Sequence, residues 1–259
     1  MSTGSYTAKS ITVLEGLEAV RRRPGMYIGG VDKTGFHHLL WEIVDNAVDE
    51  VMNGHATRII VTLHNDGKTM SVADNGRGIP VDNHPKTGKS ALEVIFTTLH
   101  AGGKFDNDAY KVAGGLHGVG ASVVNALSKS LTAEVRRDGK TFIQRYRRGK
   151  PQGPVEKGEP SRGSGTTVTY TPDPEIFQEL NYDSALIAER LEVKTFLNKG
   201  LVIQFVDQKN KTSVEFRHDG GVVDFLDAIN LQRTDQRVAP LPFVLEREDE
   251  EDGIRDLCW

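Results

Sequence analysis

The sequence predicts an α+β fold, a two-layer sandwich of a mixed β-sheet with helices on one face, followed by the start of a second α/β domain. Three observations point there. Strand and helix patterns are intermixed without strict βαβ alternation. Two turn signals, Asn65-Asp66-Gly67-Lys68 and Asp138-Gly139, join neighbouring strand-like runs into hairpins. The length, 259 residues, suits one large domain, or one domain plus part of a second.

From the N-terminus, Tyr6 to Ile11 is a polar arm with two large side chains. Ser10 or Thr12 can cap a helix over about 13–22, which Pro24-Gly25 ends. A longer helix spans about Phe36 to Met52, with Asn53-Gly54 as its stop. Arg58 to Leu63 is a β-branched strand, and Thr69 to Ala73 is its hairpin partner. That second strand runs directly into Asp74-Asn75-Gly76-Arg77-Gly78-Ile79-Pro80. Ser90 to Leu99 reads as a helix, 100–120 as a long glycine-rich loop, and Ala121 to Leu127 as the next helix. Leu131 to Tyr146 gives two strands, 151–165 a polar connection, and Thr166 to Tyr170 a strand. Tyr182 to Asn198 is a helix and Leu201 to Val206 a strand. At Gly220-Gly221 the pattern restarts with a helix over Val222 to Ile229, which divides the chain into residues 1–220 and 221–259.

Composition narrows the function. Hydrophobic residues make up 37% and charged residues 26%, ordinary for a soluble globular chain. A net charge of -4 argues against a broad basic face for gripping DNA phosphates. The short basic clusters at Arg21-Arg22-Arg23 and from Arg145 to Lys150 read first as solvated surface. The one cysteine, Cys258, excludes an internal disulfide and a cysteine zinc site, and fits a reducing cytoplasm. Met1 to Ser10 lacks the apolar core of a signal peptide, and no stretch approaches the roughly 18 apolar residues of a membrane span.

Four constellations carry chemistry. His38, Glu42 and Asn46 fall at i, i+4 and i+8 of the long helix, along one stripe. A polar helix face is the simpler explanation. The sharper one makes Glu42 a general base for water, His38 its orienting partner and Asn46 an amide ligand for Mg2+. Asp74 ends a strand before Gly76 and Gly78. Its carboxylate can accept from the exocyclic amine of adenine, where guanine presents a carbonyl. An ordinary turn after a strand is the simpler explanation, and Asp-x-Gly-x-Gly alone is a weak signal. Gly114-Gly115-Leu116-His117-Gly118-Val119-Gly120 precedes a helix, with Lys104 and Lys111 nearby in sequence. Its backbone N–H groups can cradle phosphates, although a flexible linker has the same composition. Thr166, after Gly163-Ser164-Gly165, can hold a water beside a base, a signal worth little alone. Thr87-Gly88-Lys89-Ser90 mimics a P-loop but has Asn83 where that motif needs glycine.

The order of these blocks is informative. The sequence reads WEIVDNAVDE, VADNGRGIP, LHAGGKF, KVAGGLHGVGASVVNALS and GSGTTV, with LEAVRRRPGMYIG before them and PDPEIF after. It resembles the ATPase superfamily shared by gyrase, heat-shock chaperones, histidine kinases and the mismatch-repair protein MutL, and within it the gyrase B family. The resemblance covers nearly the whole chain and implies a Bergerat-type fold that binds ATP and Mg2+. It implies that Glu42 is the catalytic base with His38 behind it, and that Asn46 binds Mg2+. Asp74 would read adenine with Thr166 assisting, and Gly78 and Ile79 would line the pocket. Lys104 and Leu116, His117, Gly118, Val119 and Gly120 would contact phosphates, and Tyr110 the nucleoside. Arg77, Pro80 and Arg137 would rim the site where aminocoumarin inhibitors bind. Tyr6 and Ile11 would reach across a nucleotide-dependent homodimer.

The resemblance also implies a gyrase A subunit as partner in an assembly of two A and two B subunits, with DNA engaged through that holoenzyme. Residues 221–259 would begin a transducer domain, whose later part supplies a phosphate-binding lysine, so hydrolysis by this chain alone is expected to be slow. The equivalent component of topoisomerase IV shares this chemistry. A kinase-type ATP domain and a non-hydrolysing nucleotide sensor are the rivals from other classes; Glu42 with His38 speaks against the kinase, which needs no base for water.

Overall fold

The computed structural model describes residues 14, 16–103, 118–178 and 180–231. The expectations for Tyr6, Ile11, Lys104, Tyr110, Leu116 and His117, and for everything past 231, lie outside the described residues.

Three helices come first: α1 (Leu17–Arg22), α2 (Gly25–Ile28) and α3 (Lys33–Met52). The last begins three residues before the expected Phe36 because Asp32 is its cap, with Oδ1 accepting from the Gly35 N–H at 3.0 Å. The hairpin β1 (Arg58–Leu63) and β2 (Met70–Asp74) follows as expected. Asp66 closes its turn by accepting from the Lys68 and Thr69 N–H groups. Then come α4 (Ala91–Thr97), α5 (Gly120–Leu127), β3 (Ser128–Arg137) and β4 (Lys140–Arg147), the last two joined at Asp138-Gly139. The remaining elements are β5 (Lys150–Pro151), β6 (Glu156–Pro160), β7 (Gly165–Pro172), α6 (Pro174–Phe177), α7 (Ser184–Leu197), β8 (Val202–Asp207), β9 (Thr212–Phe216) and α8 (Val222–Leu231).

The nine described strands form one sheet in the order β5-β4-β3-β7-β2-β1-β8-β9, with β6 also on β4. It is mixed, because β1 and β8 run parallel while the other pairs are antiparallel. Alternate side chains of the central strands, including Val61, Val72, Val168, Ala133 and Ile203, enter a single core. Leu39, Val44, Val124, Leu127 and Leu191 complete that core from α3, α5 and α7. Helices thus cover one face and the other is open, the expected two-layer arrangement.

Two expectations need correction. The connection 151–165 contains β6, and β9 was not anticipated. β6 is exposed throughout and β9 nearly so, each at a sheet edge. Strands with no buried face carry no apolar alternation for a sequence reading to detect. No described helix is long and apolar enough to cross a membrane.

Candidate active site

The site grows out of α3. From Gly35 to Glu50 all the remaining residues of this helix are buried, while His38, Glu42, Asp45 and Asn46 stay half-exposed along one stripe. The His38 ring Nε2 lies 2.9 Å from Glu42 Oε1. Their side chains are 39% and 30% exposed, so water reaches both. The hydrogen bond to Glu42 holds the His38 imidazole above its ordinary range despite partial burial. Its neighbour His37 differs. It is buried, accepts from the Asp183 N–H at Nε2 and contacts the Lys33 carbonyl through Nδ1. Burial pushes that imidazole down, which marks it as a packing residue.

The helix α5 closes over this stripe. Gly120, its first residue, sits so near that a Cβ there would lie 2.0 Å from Glu42 Oε2. Only glycine lets the backbone approach the carboxylate this closely. Val119 occupies the cap position without a side-chain cap, and Gly118 leads into it. The first N–H groups of α5 therefore open beside Glu42, where an anion is favoured.

A second cluster forms at the end of β2. Asp74 Oδ1 accepts from the Gly76 N–H at 2.8 Å and the Thr166 N–H at 3.2 Å. Both donors go to Oδ1, which leaves Oδ2 to meet a further donor. Burial pushes this carboxyl up to about 6, and the nearby Glu50 charge adds to the rise, against the pull of the two N–H groups and Arg136. The Thr166 hydroxyl accepts from the Ile79 N–H at 3.2 Å, so Asp74, Thr166 and Ile79 meet as one unit. Gly78 allows it: its φ is 76°, and a Cβ would stand 2.8 Å from the Arg136 carbonyl oxygen. Arg137 reaches the same turn, with Nη1 donating to the Gly78 carbonyl at 2.9 Å. Pro80 is exposed beside it.

The two clusters are tied together by Glu50, which sequence reasoning missed. It receives the Arg77 N–H and Nε at 3.1 Å each, and Arg77 Nη2 at 2.7 Å. Glu50 continues the i, i+4 stripe from Asn46, and that spacing could have exposed it. Its distance from Glu42, eight residues, is about 12 Å of helix, the order of length of an extended nucleoside triphosphate. Arg136 was missed too. Its Nη2 donates to the Asp74 carbonyl at 3.2 Å, and nothing in the pattern of β3 distinguishes it. Arg77 proves to be the clasp that fixes the turn to α3.

The chain is similar to known proteins in sequence and fold. Residues 31–176, more than half of the chain, match the model of the "Histidine kinase-, DNA gyrase B-, and HSP90-like ATPase" family. The chain belongs to this family. It is 55% identical to the DNA gyrase B subunit of Thermotoga maritima over 87% of this chain and 35% of that protein. It is 48% identical to the DNA gyrase B subunit of Haloferax volcanii over 96% of this chain and 39% of the other. A crystal structure of the 43K ATPase domain of Thermus thermophilus gyrase B, in complex with an aminocoumarin, superposes with a TM-score of 0.80 at 43% identity. That match covers 91% of this chain and 60% of the other. The chain spans a little over a third of the length of the curated relatives it matches. The Bergerat-type α+β fold expected from the sequence is the fold found.

Proposed function

We propose that this chain binds ATP with Mg2+ and hydrolyses it, as the ATPase part of a gyrase B protein. The observation that carries the reading is the junction of two clusters on one helix. One end, Asp74 with Thr166 and Ile79, is clasped to α3 by Glu50. A hydrolytic end, Glu42 with His38, lies under the start of α5.

In this reading the adenine amine donates to Asp74 Oδ2, and Gly78 and Ile79 line the base. The phosphates run along α3 towards the N–H groups of Gly118, Val119 and Gly120, where the helix start favours negative charge. Glu42 takes a proton from water as its oxygen attacks the terminal phosphorus, and the bond to the leaving ADP oxygen breaks. His38, with Nε2 2.9 Å from Glu42 Oε1, orients that carboxylate. Stabilising charge on the transferred group is the protein's main task in such chemistry. Among the described residues no group of three or more His, Cys, Asp or Glu could hold a metal unaided. The half-exposed amide of Asn46 fits an ion that keeps phosphate oxygens and waters as its other ligands. Bound there, Mg2+ would neutralise phosphate charge.

The remaining assignments are extensions of this reading. Lys104, Leu116 and His117 add phosphate contacts and Tyr110 a nucleoside contact. Tyr6 and Ile11 reach a partner copy in a nucleotide-dependent homodimer, and 221–259 begins a transducer domain. Arg77, Pro80 and Arg137 rim an aminocoumarin site that overlaps the adenine end. In the full enzyme, cytoplasmic and paired with gyrase A, hydrolysis drives DNA strand passage and negative supercoiling.

The deciding experiment pairs phosphate release with nucleotide binding for the wild type and Glu42→Ala. Removal of a general base lowers turnover by about 10²–10⁴-fold, with the affinity for a non-hydrolysable ATP analogue retained. Equal turnover at equal affinity would sink the mechanism.

A further inference from the structure

The open face of the sheet carries a second polar feature, far along the strand order from Glu42 and Asp74. Tyr146 and Leu131 point into the core, with Tyr146 packed on Phe96. By the period of two, Arg145 and Arg147 point to the uncovered face. There β3 and β4 border a shallow cavity of about 350 Å³, lined by Lys129, Ser130, Thr132, Arg145, Arg147 and Gln152 among others.

Two features of the backbone collect positive charge at this place. The β3–β7 register shifts between Ser128 and Ser130, so Lys129 is the extra residue of a bulge. The bulge turns Lys129 outward together with Ser130, and both are exposed. Across β4–β5, Arg147 sits directly opposite Lys150, a like-charge pairing that destabilises a sheet unless an anion offsets it. No carboxylate among the described residues pairs with Lys129, Arg147 or Lys150, whereas Arg145 is held by Glu156 at 2.7 Å and Arg148 by Asp173 and Glu175. The hydroxyls of Thr69 and Thr171, 2.8 Å apart, extend the polar row along the sheet from Ser130. The chain as a whole carries -4, so this cationic strip opposes the overall charge.

We infer that this strip is a binding site for the phosphodiester backbone of duplex DNA, distinct from the nucleotide pocket. An open, shallow row of cations and hydroxyls suits a polyanion lying across the sheet. Contacts of this kind position DNA without reading its sequence. The inference rests on the proposed function in one respect, that DNA is what the full enzyme moves.

The test is fluorescence anisotropy of a labelled DNA duplex titrated with the chain across a salt series. Two charges are removed at the strip, Lys129→Gln with Arg147→Gln, and two at the opposite edge of the sheet, Lys209→Gln with Lys211→Gln. The strip variant is expected to bind about tenfold more weakly or worse at low salt, with a log–log salt slope shallower by about 2. The edge variant is expected to match the wild type. Failure of the wild type to bind duplex, or equal behaviour of the two double variants, overturns the inference. ATP-analogue binding, measured on the same samples, is expected to be unchanged throughout. Its loss in the wild type would count against the proposed ATPase function and leave the anisotropy result to decide the DNA site on its own.

Discussion

At the scale of single residues, Asp74 has the most informative titration. Its carboxyl is held at about 6 by burial, while an unfolded aspartate titrates near 3.9. Between those values the unfolded chain gives up its proton first. The stability of the nucleotide-free protein should therefore fall as pH rises from about 4 to about 6, and Asp74→Asn should abolish that part of the dependence. A thermal melt series at several pH values reads both. An amine donor from adenine reverses the preference, because it favours the ionised form. Nucleotide affinity should thus rise as pH passes upward through about 6, in the wild type only. An affinity that is flat across this range, measured by calorimetry, would remove Asp74 from the adenine contact.

His38 and Glu42 were legible in the sequence because their spacing is one helical turn, which sets both on one stripe of α3. Asp74 was legible only through the family resemblance, because an ordinary turn after a strand is the simpler explanation of a strand-ending acid before two glycines. Arg136 was not. It lies in β3 with Arg137 beside it, and only the fold says which of two adjacent arginines turns to the Asp74 carbonyl and which to Gly78.

At the scale of elements, the site is a contact between α3, the start of α5 and the turn after β2. Gly120→Ala tests the first contact. Alanine is a better helix former than glycine, so α5 itself should be stabilised by up to about 1 kcal/mol. Yet the new methyl group would occupy the position of the Glu42 carboxylate. Turnover should collapse while the fold, followed by circular dichroism, persists. Near-normal phosphate release would mean that α5 does not press on Glu42. Glu50→Gln tests the second contact. Glu50 is mostly buried and holds three donors of Arg77, which is partly solvated. Loosening this clasp should cost about 1–2 kcal/mol in denaturant melts and weaken nucleotide binding through the displaced turn. An unchanged midpoint would show the clasp to be incidental. The element boundaries that sequence reasoning missed, β6 and β9, lie on edges away from this contact, so the site was easier to read than the full sheet.

At the scale of the whole molecule, the helices cover one face of a nine-stranded sheet, and the proposed nucleotide pocket joins helices to that sheet along one side. A ligand that bridges α3, α5 and the β2 end should stabilise the fold as a unit. At about a hundredfold excess over its Kd, a non-hydrolysable ATP analogue with Mg2+ should add about 2.7 kcal/mol. For a chain of this size that is a rise in Tm of about 5–10 °C. GTP at the same excess over the ATP-analogue Kd should give much less, because its carbonyl faces the acceptor Asp74. Equal shifts for the two nucleotides would contradict the adenine assignment. The sheet order itself was beyond the sequence: β7 inserts between β3 and β2, and β8 joins β1 in parallel, through contacts that no local pattern encodes.

The most direct measurement is a crystal structure of the chain with a non-hydrolysable ATP analogue and Mg2+. The expected result is one nucleotide lying along α3, its exocyclic amine on Asp74 Oδ2 and its terminal phosphate facing Glu42 across a water molecule. A nucleotide bound elsewhere, or Glu42 and Asp74 opening onto separate cavities, would contradict it.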